Sequence, residues 1–218
     1  ISNLTLIDPD KLEIHNIIRH LCDLEDLNRF KVDAVSERLL AINPNLNITR
    51  AIDDFVKNQQ KISQYIKDID LLVVSTDTPD SRQLANIISV KLNIPTVYIS
   101  LYERAMSGSV IRIIPGTTGC RHCVGNGQWG SEFIPGTSDY SEAINESDIF
   151  FQPGLDTDIN LVTMLGVRMS ISSLMYPDAD VSPDFKTNYL HWNGYPTDDQ
   201  PIIQLGSGLG IPKNEDCE

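Results

Sequence analysis

Two aspartates stand directly after predicted strands, where an α/β sheet presents its ligand-binding groups. Asp8 follows the apolar run Leu4 to Ile7, and Asp77 follows shortly after the run Asp70 to Ser75. A carboxylate at the position of Asp8 can accept hydrogen bonds from ribose hydroxyls, or it can simply cap the following turn. Asp77 can hold a Mg²⁺ ion that bridges phosphates, or it can be the N-cap of the helix that follows.

Three nitrogen-bearing side chains, Asn16, Arg19 and Lys31, lie in the sequence between these two aspartates. A triphosphate needs cations and amide donors that converge on its oxygens, and arginine binds them bidentately while lysine acts as a point charge. Taken singly, a lysine or arginine on a helix is far more often a solvated surface residue. It is the combination with Asp8 and Asp77 that predicts a nucleotide-phosphate site.

Cys120 and Cys123 form a C-x-x-C pair that follows a predicted strand and a glycine. Two thiolates on a tight turn supply half of a tetrahedral zinc site, and we interpret His122 between them as a spacer. We expect Cys217 to belong to the second half, with one more cysteine about three residues further on, past Glu218. The competing interpretation, a redox motif, requires the pair to open a helix in a thioredoxin-like unit, which this context does not predict.

The elements around these residues alternate between strands and helices with short connections. The run Asp70 to Ser75 is apolar without alternation, as expected when helices cover both faces of a strand. This rhythm predicts an α/β fold with a Rossmann-like, doubly wound and mostly parallel sheet. The predicted strands are Leu4–Ile7, Leu46–Ile52, Asp70–Ser75, Pro95–Ser100, Gly108–Ile114, Asn188–Trp192 and Pro201–Leu205, and the predicted helices are Val32–Ile42, Phe55–Ile66, Ser81–Leu92 and Asp156–Met175.

The rhythm breaks between Gly116 and about Phe151, where Gly, Ser, Asn and acidic residues predict a long surface loop. The later helix, Asp156–Met175, carries apolar residues on so many sides that we expect much of its circumference to be buried. The chain begins at Ile1 without a methionine and inside an apparent strand, so we expect a further segment upstream.

Composition and charge exclude several classes of function. Seventeen Lys and Arg against thirty Asp and Glu give a formal charge of −13, the wrong sign for coating a phosphate backbone, so we expect neither nucleic acid nor membrane as a partner. No apolar run approaches the roughly 18–20 residues of a bilayer span. Four cysteines are too few for a disulfide scaffold, and we interpret Cys22 as a buried, inert thiol in a helix. We therefore expect a reducing, cytoplasmic compartment.

Five segments, in the expected order, resemble motifs of the ThiF/MoeB-like adenylyltransferases, a family that shares its fold with ubiquitin-activating enzymes. Any one of these motifs is weak, but five in the right order are specific. The first four matches span about Leu4 to Val124, and the fifth follows at Gln152. The segments are Leu6–His20, which resembles D-x-D-x-V-x-x-S-N-L-x-R-Q; Phe30–Val32 with Leu39–Pro44, which resembles a lysine-bearing helix with an Asn-Pro end; Val74–Arg82, which resembles an aspartate- and arginine-bearing segment; Cys120–Cys123, which resembles a first zinc pair; and Gln152–Asp158, which resembles the opening of a later helix.

The resemblance implies a role for each candidate residue. Asp8 would hold the ribose of ATP, Asn16 would contact its phosphates together with the catalytic candidates Arg19 and Lys31, and Asp77 would bind Mg²⁺ and complete the catalytic group. The implied reaction joins the C-terminal glycine carboxylate of a ubiquitin-like or sulfur-carrier protein to AMP and releases pyrophosphate. Cations and metal are needed there because two anions must approach each other. The implied cofactors are ATP, Mg²⁺ and Zn²⁺.

The resemblance, closest in style to bacterial members, also implies a homodimer and makes residues 1–218 a partial adenylation domain, in which 124–150 form a crossover-type loop. The glycine-rich phosphate loop of the family is expected upstream of Ile1. Within the signature, His20 replaces the usual Gln. Residues 124–150 contain no cysteine that could form a thioester, so the acceptor of the acyl group is expected on another segment or protein.

Two other functions stay open. An NAD-dependent Rossmann oxidoreductase would also use Asp8, but it does not explain Arg19, Lys31 and the cysteine pair in this order. A binding module that kept the fold and lost its activity would recruit a ubiquitin-like partner without releasing pyrophosphate. The absence of one of the two acidic positions that the family often has near the metal leaves room for it.

Overall fold

A computed structural model describes residues 1–102, 105–126, 154–175, 187–194 and 204–207, with the backbone alone for 124–126 and 204–207. The chain divides into two compact units, Ile1–Asp68 and Ile69–Glu218. In the described ranges, no helix is long and apolar enough to cross a membrane.

The first unit is built on a parallel strand pair. Strand β1 (Asn3–Ile7) lies beside β2 (Asn47–Ala51), with Ile7 opposite Ala51. Parallel strands need a crossover connection, and helix α2 (Lys31–Ile42) supplies it by packing on both strands. This helix begins at Lys31, one residue before the predicted start, and ends at Ile42, as predicted. A short helix α1 (Ile14–Ile17) and a 3-10 turn (Leu24–Asp26) precede it.

Two predicted helical stretches of the first unit are shorter in the structure. Helix α3 (Gln59–Ile66) begins four residues later than predicted, because Asp54 Oδ1 accepts the backbone N–H groups of Val56 and Lys57, each at 2.9 Å, and closes a turn. Cys22 is buried, as predicted, and the structure packs it with Leu12, but it lies in a bend and not in a helix, since α1 ends at Ile17.

The second unit contains a five-stranded sheet. Helix α4 (Pro79–Leu92) connects β3 (Leu72–Val74) to β4 (Thr96–Leu101) in the only parallel pair among the described strands of this sheet. The fold is α/β and Rossmann-like, as predicted, but this sheet is not mostly parallel as predicted, since β5 (Ser107–Ile113) and the described strands after it pair antiparallel. The reason is the connection from β4 to β5, residues 102–106, which is too short for a crossover of about a dozen residues. The strands in spatial order are β3 (Leu72–Val74), β4 (Thr96–Leu101), β5 (Ser107–Ile113), β6 (Tyr189–Asn193) and β7 (Gln204–Ser207).

Helix α6 (Asp156–Met175) has the predicted boundaries and covers β4 and β5. Val162 and Met169 pack there with Val97 and Val110 in the core of this unit. Gly108 permits the close approach, since a Cβ atom on it would lie 2.9 Å from Val162. The prediction that much of the circumference of this helix is buried is wrong for the opposite face, where Met164, Val167 and Ile171 are exposed.

The predicted loop after Gly116 contains a helix at its beginning. Helix α5 (Arg121–Asn126) follows β5 after a turn at Thr117 and Thr118. Most of the predicted crossover-type loop, residues 127–150, and Cys217 lie outside the described residues.

Candidate nucleotide-binding site

Asp8 is placed at the carboxyl end of β1 by a backbone hydrogen bond from its N–H to the carbonyl of Ala51, 3.1 Å long. Its Oδ1 accepts the N–H of Asp10 at 2.8 Å, so this oxygen caps the turn. Its Oδ2 lies 3.9 Å from the Nζ of Lys31. The capping and ligand-binding interpretations of Asp8 are therefore compatible, since each can use a different carboxylate oxygen.

Lys31 is the first residue of α2, and its backbone N–H donates to the carbonyl of Asp10 at 2.9 Å. Its Nζ donates to Asp10 Oδ2 at 2.7 Å. The side chain is only 21% exposed, unlike that of a solvated surface lysine. The structure thus brings together Asp8, Asp10 and Lys31, two of which the sequence analysis assigned to the site.

Asn16 and Arg19 lie on and just after α1, in a segment whose two ends are held by the buried residues Leu12 and Cys22. Asn16 Oδ1 accepts the N–H of Glu13 at 3.0 Å and so caps the helix. Its amide nitrogen is the group of this side chain that donates hydrogen bonds. The backbone N–H of Arg19 donates to the carbonyl of Asn16, and both side chains are half-buried. Their phosphate contacts stay a prediction.

His20, noted in the sequence only as a departure from the family signature, interacts electrostatically with Asp8 and Lys31. Its Nδ1 accepts the N–H of Cys22 at 3.2 Å, which leaves Nε2 to carry the proton of the neutral ring. Burial, followed by the charge of Lys31, lowers the pKa of His20, while the charges of Asp8 and Asp26 oppose this shift. The sequence could have indicated His20 as a candidate, because it lies in the same segment as Asn16 and Arg19.

The electrostatics of Asp8 are unfavourable for an ionised carboxylate. Burial raises its pKa, and the hydrogen bond from Asp10 and the charge of Lys31 only partly offset this effect. A carboxylate that costs stability when ionised is typical of a group retained to bind a ligand.

Asp8→Asn is expected to stabilise the protein at pH 7 and not at pH 4. Because the pKa of folded Asp8 is raised, the stability linked to its proton is present at low pH and is lost as the pH rises through that pKa. Asparagine stays neutral and keeps the oxygen that accepts the Asp10 N–H. The side chain is 38% exposed and solvent screens it, so we expect a Tm gain of about 1–3 °C at pH 7.

Thermal unfolding of Asp8→Asn at both pH values measures this gain, with Asp33→Asn as the control for loss of an acid from the same unit. A Tm difference between Asp8→Asn and wild type that is the same at pH 4 and pH 7 would contradict the burial cost assigned to Asp8.

Asp77 lies between β3 and α4 and is exposed. The N-cap of α4 is Thr78, whose Oγ1 accepts the N–H of Ser81, so the capping interpretation of Asp77 is wrong. The loop around it is fixed, since Arg82 Nε donates to the carbonyl of Thr76 at 2.6 Å. Asp77 belongs to the second unit, and its place in one site with Asp8 and Lys31 stays a prediction.

Asp53, a buried carboxylate just after β2, has a structural role. It accepts hydrogen bonds from Asn58 at 3.0 Å, Lys61 at 2.8–2.9 Å and Tyr65 at 3.1 Å. The hydrogen bond from Lys61, followed by that from Tyr65, lowers its pKa. These partners occupy both of its oxygens, so Asp53 holds the loop before α3 in place.

An open cavity of about 330 Å³ lies on the first unit, lined in part by Lys11, Arg29, Asp33, Glu37 and Arg50. Its arginines are paired with its acids, Arg29 with Glu37 and Arg50 with Asp33. The fifth charged side chain of the lining, Lys11, lies over the ring of Phe30, and this lining gives no sign of a specific ligand.

Cys120 and Cys123 are buried and form no disulfide; Cys120 lies just before α5 and Cys123 lies in its first turn. The N–H of Arg121 between them donates to Asn86 Oδ1 at 2.9 Å, and its guanidinium lies over the ring of Tyr98. The pair does open a helix, contrary to expectation, so the argument against a redox motif rests on its place after β5. The described residues contain no group of three or more potential metal ligands.

Residues 1–152 match the ThiF family. The chain belongs to this family. It is 32% identical over 133 residues to the ubiquitin-like modifier-activating enzyme 5 of Caenorhabditis elegans, a match that covers 57% of the chain and 32% of the relative. It is 27% identical over 127 residues to the sulfur carrier protein ThiS adenylyltransferase of Bacillus subtilis, covering 57% and 37%. The chain of this ThiF-family protein thus spans about a third of the length of these curated relatives.

The solved structures place the ThiF-family chain in the same fold. The complex of Escherichia coli MccB with MccA-N7isoASN matches with a TM-score of 0.72 and 19% sequence identity. The match covers all of this chain and 59% of that chain. At this identity the likeness shows the Rossmann-like fold alone.

Proposed function

We propose that this chain is the nucleotide-binding part of an adenylyltransferase that activates the C-terminal glycine of a ubiquitin-like or sulfur-carrier protein as an acyl-adenylate. The observation that carries the proposal is the group formed by Asp8, Asp10 and Lys31 at the carboxyl end of a βαβ unit. Family membership supports it, and so do the names of the curated relatives, an activating enzyme for a ubiquitin-like modifier and an adenylyltransferase for a sulfur carrier.

In this proposal Asp8 accepts the ribose hydroxyls, while Asn16, Arg19 and Lys31 donate to the phosphates. A carboxylate oxygen of the partner's terminal glycine attacks the α-phosphorus, the bond from that phosphorus to the bridging oxygen breaks, and pyrophosphate leaves with the electron pair. The side chains of Arg19 and Lys31 would offset the negative charge that gathers on the phosphates. Asp77 supplies a carboxylate of the kind that holds Mg²⁺, and the metal when bound would share this role.

The proposal extends to the setting of the reaction. The acyl acceptor lies on another segment or protein, and the active form is a homodimer in the cytoplasm. The reducing compartment rests on the low cysteine content of the sequence, four in 218 residues. The dimer rests on the family resemblance.

ATP–pyrophosphate exchange by the full-length protein tests the function. We expect exchange that needs both Mg²⁺ and a partner protein ending in glycine, because pyrophosphate returns to ATP only through an acyl-adenylate. Tight NAD binding without any response to ATP would favour the oxidoreductase. A partner that docks without exchange would favour the inactive binding module.

We also propose that Cys120 and Cys123 hold Zn²⁺ together with Cys217 and a fourth ligand. The two buried thiols on one helical turn fit half of a zinc site. Metal analysis of the full-length protein is expected to find about one zinc per chain, lost in Cys120→Ser and retained in Cys22→Ala, with chelation lowering the Tm. A zinc-free protein of unchanged stability would overturn this assignment.

A further inference from the structure

Asp10 forms hydrogen bonds with both Asp8 and Lys31, although the sequence analysis gave it no role. Its N–H donates to Asp8 Oδ1 at 2.8 Å. Its carbonyl accepts the N–H of Lys31 at 2.9 Å, and its Oδ2 accepts the Lys31 ammonium at 2.7 Å. The backbone of Asp10 therefore ties β1 to the first turn of α2, and its carboxylate selects the position of the lysine head group.

The two distances from Lys31 Nζ define what the Asp10 carboxylate does. The separation of 2.7 Å from Asp10 Oδ2 is a charge-assisted hydrogen bond, whereas 3.9 Å from Asp8 Oδ2 is too long for one. A lysine without Asp10 would have one remaining acid in this group, Asp8, and would move onto the oxygen that a ribose hydroxyl needs. Asp10 thus keeps Lys31 close to Asp8 while leaving the Asp8 oxygen open to a ribose hydroxyl.

A purely structural role does not explain this ion pair. The Asp10 side chain is 62% exposed, and ion pairs at such exposure contribute little to stability because water screens them. Lysine has four flexible side-chain bonds, so holding its ammonium at one place before the ligand arrives lowers the cost of binding.

We propose that Asp10 is a positioning residue of the nucleotide site, which fixes one oxygen of Asp8 through its N–H and holds the Lys31 ammonium away from the other through its carboxylate. This inference rests on the proposed function for its catalytic consequence. The pairing itself is independent of any activity.

The test compares Asp10→Asn with Asp33→Asn in the full-length protein. Asparagine keeps the N–H that binds Asp8 and removes only the charge that holds Lys31. Asp33 is the matched control, because it lies on α2 two residues after Lys31 and pairs with Arg50 at 3.3 Å. In Asp10→Asn, we expect the KM for ATP in the exchange assay to rise about tenfold and kcat to change less than about threefold. A variant that merely lost folded protein would lower kcat and leave KM unchanged.

Two further measurements separate positioning from other causes. The double variant Asp10→Asn/Lys31→Met is expected to have the same KM as Lys31→Met alone, because Asp10 acts through the lysine. Reductive methylation followed by mass spectrometry is expected to show faster labelling of Lys31 in Asp10→Asn than in wild type or Asp33→Asn, because the carboxylate no longer holds the ammonium.

An unchanged KM, or additive effects in the double variant, would overturn the proposal. Labelling of Lys31 that is equally fast in wild type and Asp10→Asn would overturn it as well, whether or not the protein is active. A wild-type protein without exchange would count against the proposed function, and the labelling would then decide the role of Asp10 by itself.

Discussion

Lys31→Met is expected to lower kcat/KM for ATP–pyrophosphate exchange by about 10²–10³-fold, the effect of removing one preorganised donor from a charged transition state. The ammonium is held 2.7 Å from Asp10 before ATP binds, so it reaches the phosphates without a search through its rotamers. Methionine has a similar length and no charge, so the substitution removes the electrostatic contribution and keeps most of the packing.

Lys57→Met is the control for this variant. Lys57 also pairs with an aspartate, Asp54 at 3.1 Å, but its side chain is 82% exposed. We expect wild-type exchange from it, and a Tm close to wild type for both variants. Equal exchange rates in Lys31→Met and Lys57→Met would exclude Lys31 from the phosphate contacts.

The parts of the fold that the sequence predicts well are those with a local cause. Helix α2 ends where Asn43 and Pro44 stop it, and α6 begins at an acidic first turn and ends shortly before Pro177. Pro79 at the first helical position also identifies Thr78 as the N-cap of α4, so this signal against Asp77 as a cap was present in the sequence.

Strand direction could not be predicted from the apolar pattern, because parallel and antiparallel strands in a buried sheet have similar composition. The length of the connection between β4 and β5 could have indicated their antiparallel pairing, because residues 102–106 are too few for a crossover. Helix α5 was missed because its six residues, which include Gly125, have no apolar period.

Some residues of the candidate site can likewise be identified from the sequence, and others only from the structure. The rule that ligands bind beyond the carboxyl ends of strands selects Asp8 and Asp77 from the sequence alone. The same rule also selects Asp53, and only its hydrogen bonds to Asn58, Lys61 and Tyr65 identify it as structural. The role of Asp10 depends on side-chain distances of 2.7 and 3.9 Å, which spacing in a sequence does not specify.

Asp77→Asn is expected to reduce exchange by about 10²–10³-fold at low Mg²⁺, with partial recovery as Mg²⁺ is raised. The loop that presents Asp77 is held by hydrogen bonds among its neighbours, from Arg82 to the Thr76 carbonyl and from Ser81 Oγ to Thr76 Oγ1 at 2.6 Å. Asparagine therefore changes the charge of an exposed side chain without disturbing the loop, and a neutral oxygen binds Mg²⁺ more weakly than a carboxylate.

Titration of exchange with Mg²⁺ separates a metal ligand from a residue that only shapes the loop. We expect Asp77→Asn to need a higher Mg²⁺ concentration for half-maximal exchange, and Asp80→Asn, an exposed acid in the first turn of α4, to follow the wild-type curve. If the loop alone mattered, the maximal rate would fall and the Mg²⁺ dependence would stay the same. A shifted Mg²⁺ dependence in Asp77→Asn that is absent from Asp80→Asn would therefore identify Asp77 as a ligand of the metal that the reaction uses.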